Sequence, residues 1–103
     1  MCLTTQVQDV LDAISSPRRR EILRLVWEHE LSAGDIAARF DVSWPAISQN
    51  LAVLRKAGLV SERREANRRF YRADPQALGS LRTVLQEMWV QDLDRLRHVV
   101  EGR

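Results

Sequence analysis

The sequence predicts a mainly α-helical domain with one small β-hairpin. Three observations predict it. Apolar residues recur every three or four positions along most of the chain. Residues that start or stop helices (Ser16, Ser32, Ser43, Gly58) stand at the edges of those stretches. Only between Leu59 and Ala73 does the pattern change, to Val60, Phe70 and Tyr71 flanking a short polar tip.

The chain of 103 residues suits one compact domain, taken as 1–103. A hydrophobic share of 45% is too high for a disordered chain. No apolar run approaches membrane-spanning length. Met1 to Gln6 lacks the basic stretch and apolar block of a signal peptide. One cysteine, Cys2, makes neither an internal disulfide nor a multi-thiolate metal site. A cytoplasmic protein with no membrane association is therefore expected.

Val7, Val10, Leu11 and Ile14 fall at helical spacing and predict a first helix over about 6–14. Ser16 then caps a second helix, with Pro17 at its first position and Ile22, Leu23, Val26 and Trp27 on its apolar side. Arg18, Arg19 and Arg20 crowd its first turn, where cations oppose the helix dipole. Either they clamp DNA phosphates, or they pair with Glu21, Asp12 or Asp9. Ser32 and Asp35 form a box-like start to a short third helix ending near Phe40. Asp41 takes a turn position, and Val42 plugs the core beneath it. Ser43 caps a fourth helix with Trp44 and Pro45 in its first turn. Ile47, Leu51 and Leu54 form its apolar stripe, whereas Pro45, Gln49, Ala52 and Lys56 lie opposite, flanked by Ser48 and Arg55. Gly58 ends it as a left-handed residue.

Leu59–Arg64 and Arg68–Ala73 read as two strands around a Glu65-Ala66-Asn67 tip, with Asn67 expected to take positive φ. Asp74-Pro75 starts a last helix over about 76–100, carrying Leu78, Leu81, Leu85, Met88, Trp89, Leu93, Leu96, Val99 and Val100 at intervals of three or four. The helix-turn-helix spans about 32–57 and the hairpin about 59–73. Together they describe a winged helix-turn-helix. The first and last helices carry more apolar surface than a three-helix core can bury, which points to a homodimer through Val7, Val10, Leu11, Leu85, Met88, Trp89 and Leu96.

Charge is unevenly placed. The whole chain is only +2, yet Arg55 to Arg72 holds seven basic and two acidic residues. Fifteen of the sixteen basic residues are arginine, the side chain that meets phosphate and guanine through paired donors. A local basic segment on an otherwise acidic chain is the footprint of double-stranded DNA binding.

Three stretches carry a family likeness: Ser16-Pro17-Arg18-Arg19-Arg20-Glu21-Ile22-Leu23, Leu31-Ser32-Ala33-Gly34-Asp35-Ile36-Ala37, and the run from Val42 through Ser48-Gln49-Asn50-Leu51 to Val60. Arg63-Arg64-Glu65 and Arg69-Phe70-Tyr71-Arg72 extend it into the wing. The chain resembles the ArsR-type winged-helix repressors. The resemblance implies a homodimeric, cytoplasmic repressor of a palindromic operator. There are departures. Asn50 stands where the family usually has His, Trp44 takes a position often polar, and Asn67 falls near a usual wing glycine. Members that bind thiophilic metals carry paired cysteines on the third helix, and Ser32 to Phe40 has none. Others use His and carboxylates on the last helix. Here Asp94 and His98 share a face, but two residues do not make a metal site. No cofactor is expected, and the effector is left unknown.

The DNA-contacting set is read as Ser43, Trp44, Pro45, Ser48, Gln49 and Arg55 on the fourth helix. Arg63, Arg64, Asn67, Arg68 and Arg69 complete it on the wing. Gln49 suits a bidentate contact to adenine, and Ser48 several bases or a phosphate. Set against this is an amphipathic helix with a solvated face and a hairpin whose edge is protected by charge. Strand alternation sends the wing arginines to two sides, and Arg64, Asn67 and Arg68 lie nearest the tip. For Trp44 two placements compete: an exposed indole on a thymine methyl or the sugar-phosphate wall, and packing against Leu51 at the edge of the core, which its position favours. Trp27 and Trp89 read as core or interface, and His29 and His98 as surface. No nucleophile, base and orienting group come together, so no enzyme is expected. Two other readings compete with a DNA-binding repressor. One is a winged helix that binds protein instead of DNA. The other is a metal- or thiol-switched repressor using Cys2, Asp94 and His98.

Overall fold

A computed structural model describes the backbone of residues 2–101 and the side chains of residues 8–93. The elements are α1 (Cys2–Ile14), α2 (Pro17–Leu25), β1 (Leu31–Ser32), α3 (Ala33–Ala37), α4 (Trp44–Lys56), β2 (Val60–Glu65), β3 (Arg68–Ala73) and α5 (Leu81–Glu101), with a 3-10 turn at Pro75–Leu78. The mainly helical architecture and the wing agree with the sequence-based expectation.

Local chemistry sets most boundaries. The Ser16 hydroxyl accepts from the Arg19 amide at 3.3 Å, and the Ser32 hydroxyl from the Asp35 amide at 3.1 Å. Gly58 (φ 79°) closes α4. Its amide donates to the Arg55 carbonyl, and the Leu59 amide to the Leu54 carbonyl, both at 3.0 Å. That is the paired closure of a Schellman motif.

Other boundaries differ from the expectation. The sheet has three strands, in the order β1-β3-β2, because Leu31 and Ser32 pair antiparallel with Tyr71 and Phe70. Two residues are too few to leave a periodic signal. At the wing tip the left-handed residue is Ala66 (φ 55°), not Asn67. Glu65 pairs with Arg68, so the loop has two residues, and positive φ at the first alone is the pattern of a II′ turn. The final helix does not run on from Pro75. Asp74 caps only the 3-10 turn, accepting from the Gln76 amide at 3.2 Å, and Gly79 (φ 55°) breaks the chain before α5.

One core gathers Val10 and Ile14 of α1, Ile22, Leu23 and Val26, Ile36, then Ile47, Leu51 and Leu54, with Leu59, Tyr71 and Leu85 closing it. Val42 packs half-buried against it, as expected. Val10 and Leu85 are 2% and 0% exposed within the single chain. They are core residues with no surface to offer a second copy, which corrects their placement at a dimer interface. Val7 and Leu96 lie outside the described side chains, as do Asp94 and His98.

The arginines of α2 have a structural use. Arg19 donates from Nη2 to the Asp12 carbonyl at 2.9 Å and from Nε to the Ala13 carbonyl at 2.8 Å. Arg20 donates from Nη1 to the Ile14 carbonyl at 2.8 Å. These carbonyls end α1; Ser15 also donates to that of Asp12, from its amide at 3.3 Å and its hydroxyl at 2.7 Å, and the two guanidinium groups complete the C-terminal cap. Arg20 also grips Asp92 of α5 through two hydrogen bonds of 3.0 and 3.1 Å, and the Trp89 indole donates to the Arg20 carbonyl at 2.9 Å. Trp27 meets Trp89 edge to face, with centroids 4.9 Å apart. The acidic partners expected for this cluster are therefore wrong for Arg19 and Arg20. Glu21 pairs instead with Arg24.

Candidate nucleic-acid interface

Helix α4 turns its apolar stripe inward. Ile47, Leu51 and Leu54 are buried, and Trp44, Pro45, Ser48, Gln49, Ala52, Arg55 and Lys56 are exposed. Ser43 has extended backbone at the N-cap, yet its hydroxyl makes no capping bond. The reason is local. The second helical residue is Pro45, which has no N–H, and the Ala46 amide already donates to the Ser43 carbonyl at 3.1 Å. The exposed hydroxyl is thus not consumed by the helix it starts.

Trp44 is not buried at the edge of the core stripe. It is 52% exposed and lines a cleft of about 550 Å³ between α4, the start of α3 and the wing tip. Ser48, Asn67, Arg68 and Arg69 line the same cleft, with Ser32 to Asp35 at its back. The first turn of α4 and the wing tip, far apart in sequence, thus share one concave surface.

Register sorts the wing arginines. Arg64 stands opposite Arg69, and Glu62 opposite Tyr71, so these four share one face of the hairpin. Arg63 stands opposite Phe70, and Glu65 opposite Arg68, on the other face. On that face the Arg63 and Arg68 guanidinium carbons lie 4.7 and 5.2 Å from the Phe70 ring centre. Arg63 is also bound to Glu30 through two hydrogen bonds of 3.0 and 2.7 Å, and to Glu65 at 2.8 Å. Its hydrogen bond to Glu30 lowers that carboxyl below its ordinary value. Arg63 is thereby tied down as a brace between the wing and the segment before β1. Its side chain is still 49% exposed, and Arg68 beside it also faces a carboxylate, Asp35, at 3.9 Å.

On the inner face, Glu62 is the centre. Its Oε2 accepts from the Tyr71 hydroxyl at 2.8 Å and from Arg55 Nη1 at 3.2 Å. Its Oε1 lies 3.6 Å from Arg64 Nε. The Tyr71 hydrogen bond, with Arg55, Arg69 and Arg64 nearby, holds the Glu62 carboxyl below the usual carboxylate range. Burial and the same Glu62 push the Tyr71 phenol up. Sequence reasoning singled out neither residue, because their role depends on strand register and on the approach of α4.

Asn50 does not face outward with Gln49. Its Nδ2 donates to the Ala46 carbonyl at 2.9 Å, and its Oδ1 accepts from Arg19 Nη1 at 3.3 Å. Among the described residues no group of three or more His, Cys, Asp or Glu could hold a metal ion. Among them, too, no helix is long and apolar enough to cross a membrane.

Comparison with known proteins agrees with this architecture. Residues 16–62 match the model of the bacterial regulatory protein, arsR family. The chain is 36% identical to the HTH-type transcriptional regulator Rv2034 of Mycobacterium tuberculosis, over 87% of this chain and 84% of that protein. It is 35% identical to the transcriptional activator HlyU of Vibrio cholerae, over 80% and 76%. It is 40% identical to the transcriptional repressor SdpR of Bacillus subtilis, over 63% and 72%. Among solved structures, it superposes on the homodimeric winged helix-turn-helix DNA-binding domain Mb0332 of Mycobacterium bovis. The TM-score is 0.74 and the identity 31%, over 87% of this chain and 83% of that one. Matched from the second helix through the helix-turn-helix to the start of the first wing strand, and alike over nearly the whole fold, this chain belongs to the arsR family of bacterial regulatory proteins.

Proposed function

We propose that this protein is a homodimeric, cytoplasmic transcriptional regulator that binds a palindromic operator and represses by occupying a promoter. One observation carries the reading. Trp44 and Ser48 of α4 line one concave surface with Asn67, Arg68 and Arg69 of the wing, and the exposed face of α4 continues from it through Gln49 to Arg55. The α4 helix enters a major groove, where Gln49 and Ser48 meet base edges and the Ser43 hydroxyl and Trp44 indole reach the groove wall. Pro45 lets the first turn approach without an amide to satisfy. Arg64, Asn67, Arg68 and Arg69 follow the adjacent backbone or minor groove, and Arg55 holds a phosphate at the far end of the helix. Dimerisation sets two such helices about 34 Å apart, one turn of DNA. Repression is the output named for SdpR and activation that named for HlyU. Blocking a promoter needs only the surface described, so repression is the simpler assignment.

The test is selection of duplexes from a random pool, followed by titration of the selected duplex and a scrambled one at several salt concentrations. Discrimination between them, with affinity falling steeply as salt rises, is the expected result. A flat salt response would exclude the DNA reading in favour of a protein-binding module. Gln49→Ala should lower discrimination by about 1–3 kcal/mol. An unchanged ratio would remove Gln49 from the base-reading set.

A further inference from the structure

Glu62 is an odd residue to find in a surface meant for an anion. It lies in the most basic segment of the chain, yet its side chain is only 12% exposed, while Arg55 and Arg64 above it are 53% and 65% exposed. The carboxylate therefore sits beneath the arginines and not beside them. It touches Arg55 through Nη1 and Arg64 through Nε. A guanidinium has five N–H donors in a fixed fork, so each contact leaves the remaining donors of that group for another acceptor. The Tyr71 hydroxyl, directly across the strands, anchors the same carboxylate from the core side. Arg55 comes from the last turn of α4 and Arg64 from the wing; the Schellman closure at Gly58 joins these elements through the backbone, and Glu62 adds the link between the two side chains.

We propose that Glu62 is a positioning residue that gathers Arg55 of α4 and Arg64 of the wing on one carboxylate, fixing the spacing at which they meet DNA phosphates. The inference rests on the DNA-binding reading above. It has a consequence opposite in sign to simple electrostatics. As a mere negative charge, Glu62 would repel DNA, and its removal would tighten binding to every sequence. As a positioning residue, it sets the gap between operator and other DNA, because two pre-placed arginines fit only a backbone held in register by the base contacts.

Glu62→Gln separates these readings, since glutamine keeps the size and an acceptor for Tyr71. The probes are the duplex that the unaltered protein selects from a random pool and a scrambled duplex of equal composition. The expected result is about tenfold weaker binding to the selected duplex, with a salt slope shallower by about one. Binding to the scrambled duplex should hold or tighten. Arg55→Gln closes a double-mutant cycle, and in its background Glu62→Gln should weaken binding to the selected duplex clearly less than in the unaltered protein, the remainder reflecting Arg64. If Glu62→Gln loses the circular dichroism of the fold, Glu62→Asp takes its place in the cycle, keeping the charge but drawing it back by one methylene. Tighter binding to both duplexes, an unchanged ratio, or additive effects in the cycle would overturn the role of Glu62. If the unaltered protein selects no duplex, the DNA-binding reading itself falls, and this inference with it.

Discussion

Ala66 holds the one positive φ of a non-glycine residue among the described residues, at 55°. An L side chain in that region costs roughly 1–2 kcal/mol, part of which a glycine recovers. Ala66→Gly should therefore raise the stability of the protein by about 1 kcal/mol, read as an upward shift of the urea midpoint. A lower midpoint would contradict the assigned turn. Glu62 yields a second expectation. Its folded pKa is depressed, so the stability it contributes is fully present above the free glutamate value of about 4.3 and is lost as pH falls through the lower folded value. Melting temperature should drop across that acid range, and Glu62→Gln should flatten the drop. Trp44 differs from both, since nothing in its own chemistry decides whether it packs or is exposed. Its position beside the inner stripe favours packing, but the cleft between α4 and the wing leaves it in solvent.

Among the elements, the junction of α1 and α2 turns an apparent liability into a cap. Arg19 and Arg20 oppose the dipole of the helix they begin, but they neutralise the carbonyl end of the helix before it. Arg20→Ala would leave the Ile14 carbonyl and Asp92 without their partner, at about 3 kcal/mol, the lower end for a broken buried pair because Asp92 retains some exposure. Chemical denaturation measures this loss. Sequence reasoning reached α2, α4, the Schellman closure and the hairpin because each is set by neighbours in the chain: Ser16 and Pro17, the Ile47–Leu51–Leu54 stripe, Gly58. It missed β1, since Leu31 and Ser32 become a strand only by meeting Tyr71 and Phe70. It misread the start of the last helix, since Asp74 and Pro75 initiate a 3-10 turn as readily as an α-helix and Gly79 then resets the direction. The site was legible in its residue types but not in its sidedness. Arg63 and Arg64 are indistinguishable neighbours in sequence, and alternation across β2 sends one to Glu30 and the other to Glu62.

For the whole molecule, the apolar surface left over is smaller than periodicity suggested but not gone. Val10 and Leu85 are spent on the core, whereas Leu11, Val84, Val90 and Leu93 remain 40–59% exposed on α1 and α5. Val90 and Leu93 lie about one turn apart on α5. A dimer through α1 and α5 would cover such residues. Light scattering at micromolar concentration should give twice the chain mass, and Leu93→Glu should shift it toward one. A monomeric unaltered protein would remove the geometric basis for a palindromic site.

The grip of Arg20 on Asp92 joins residues 72 positions apart, so it closes the largest loop among the described hydrogen bonds. Contacts of that separation are costly in chain entropy and are favoured late in folding, after the helices and wing have met. Asp92→Asn should therefore leave the refolding rate nearly unchanged and speed unfolding, moving one arm of the chevron alone. The same bond that pins α5 to the domain would then act as a kinetic latch. How long a protomer keeps its last helix in place would depend on a single arginine at the start of its second.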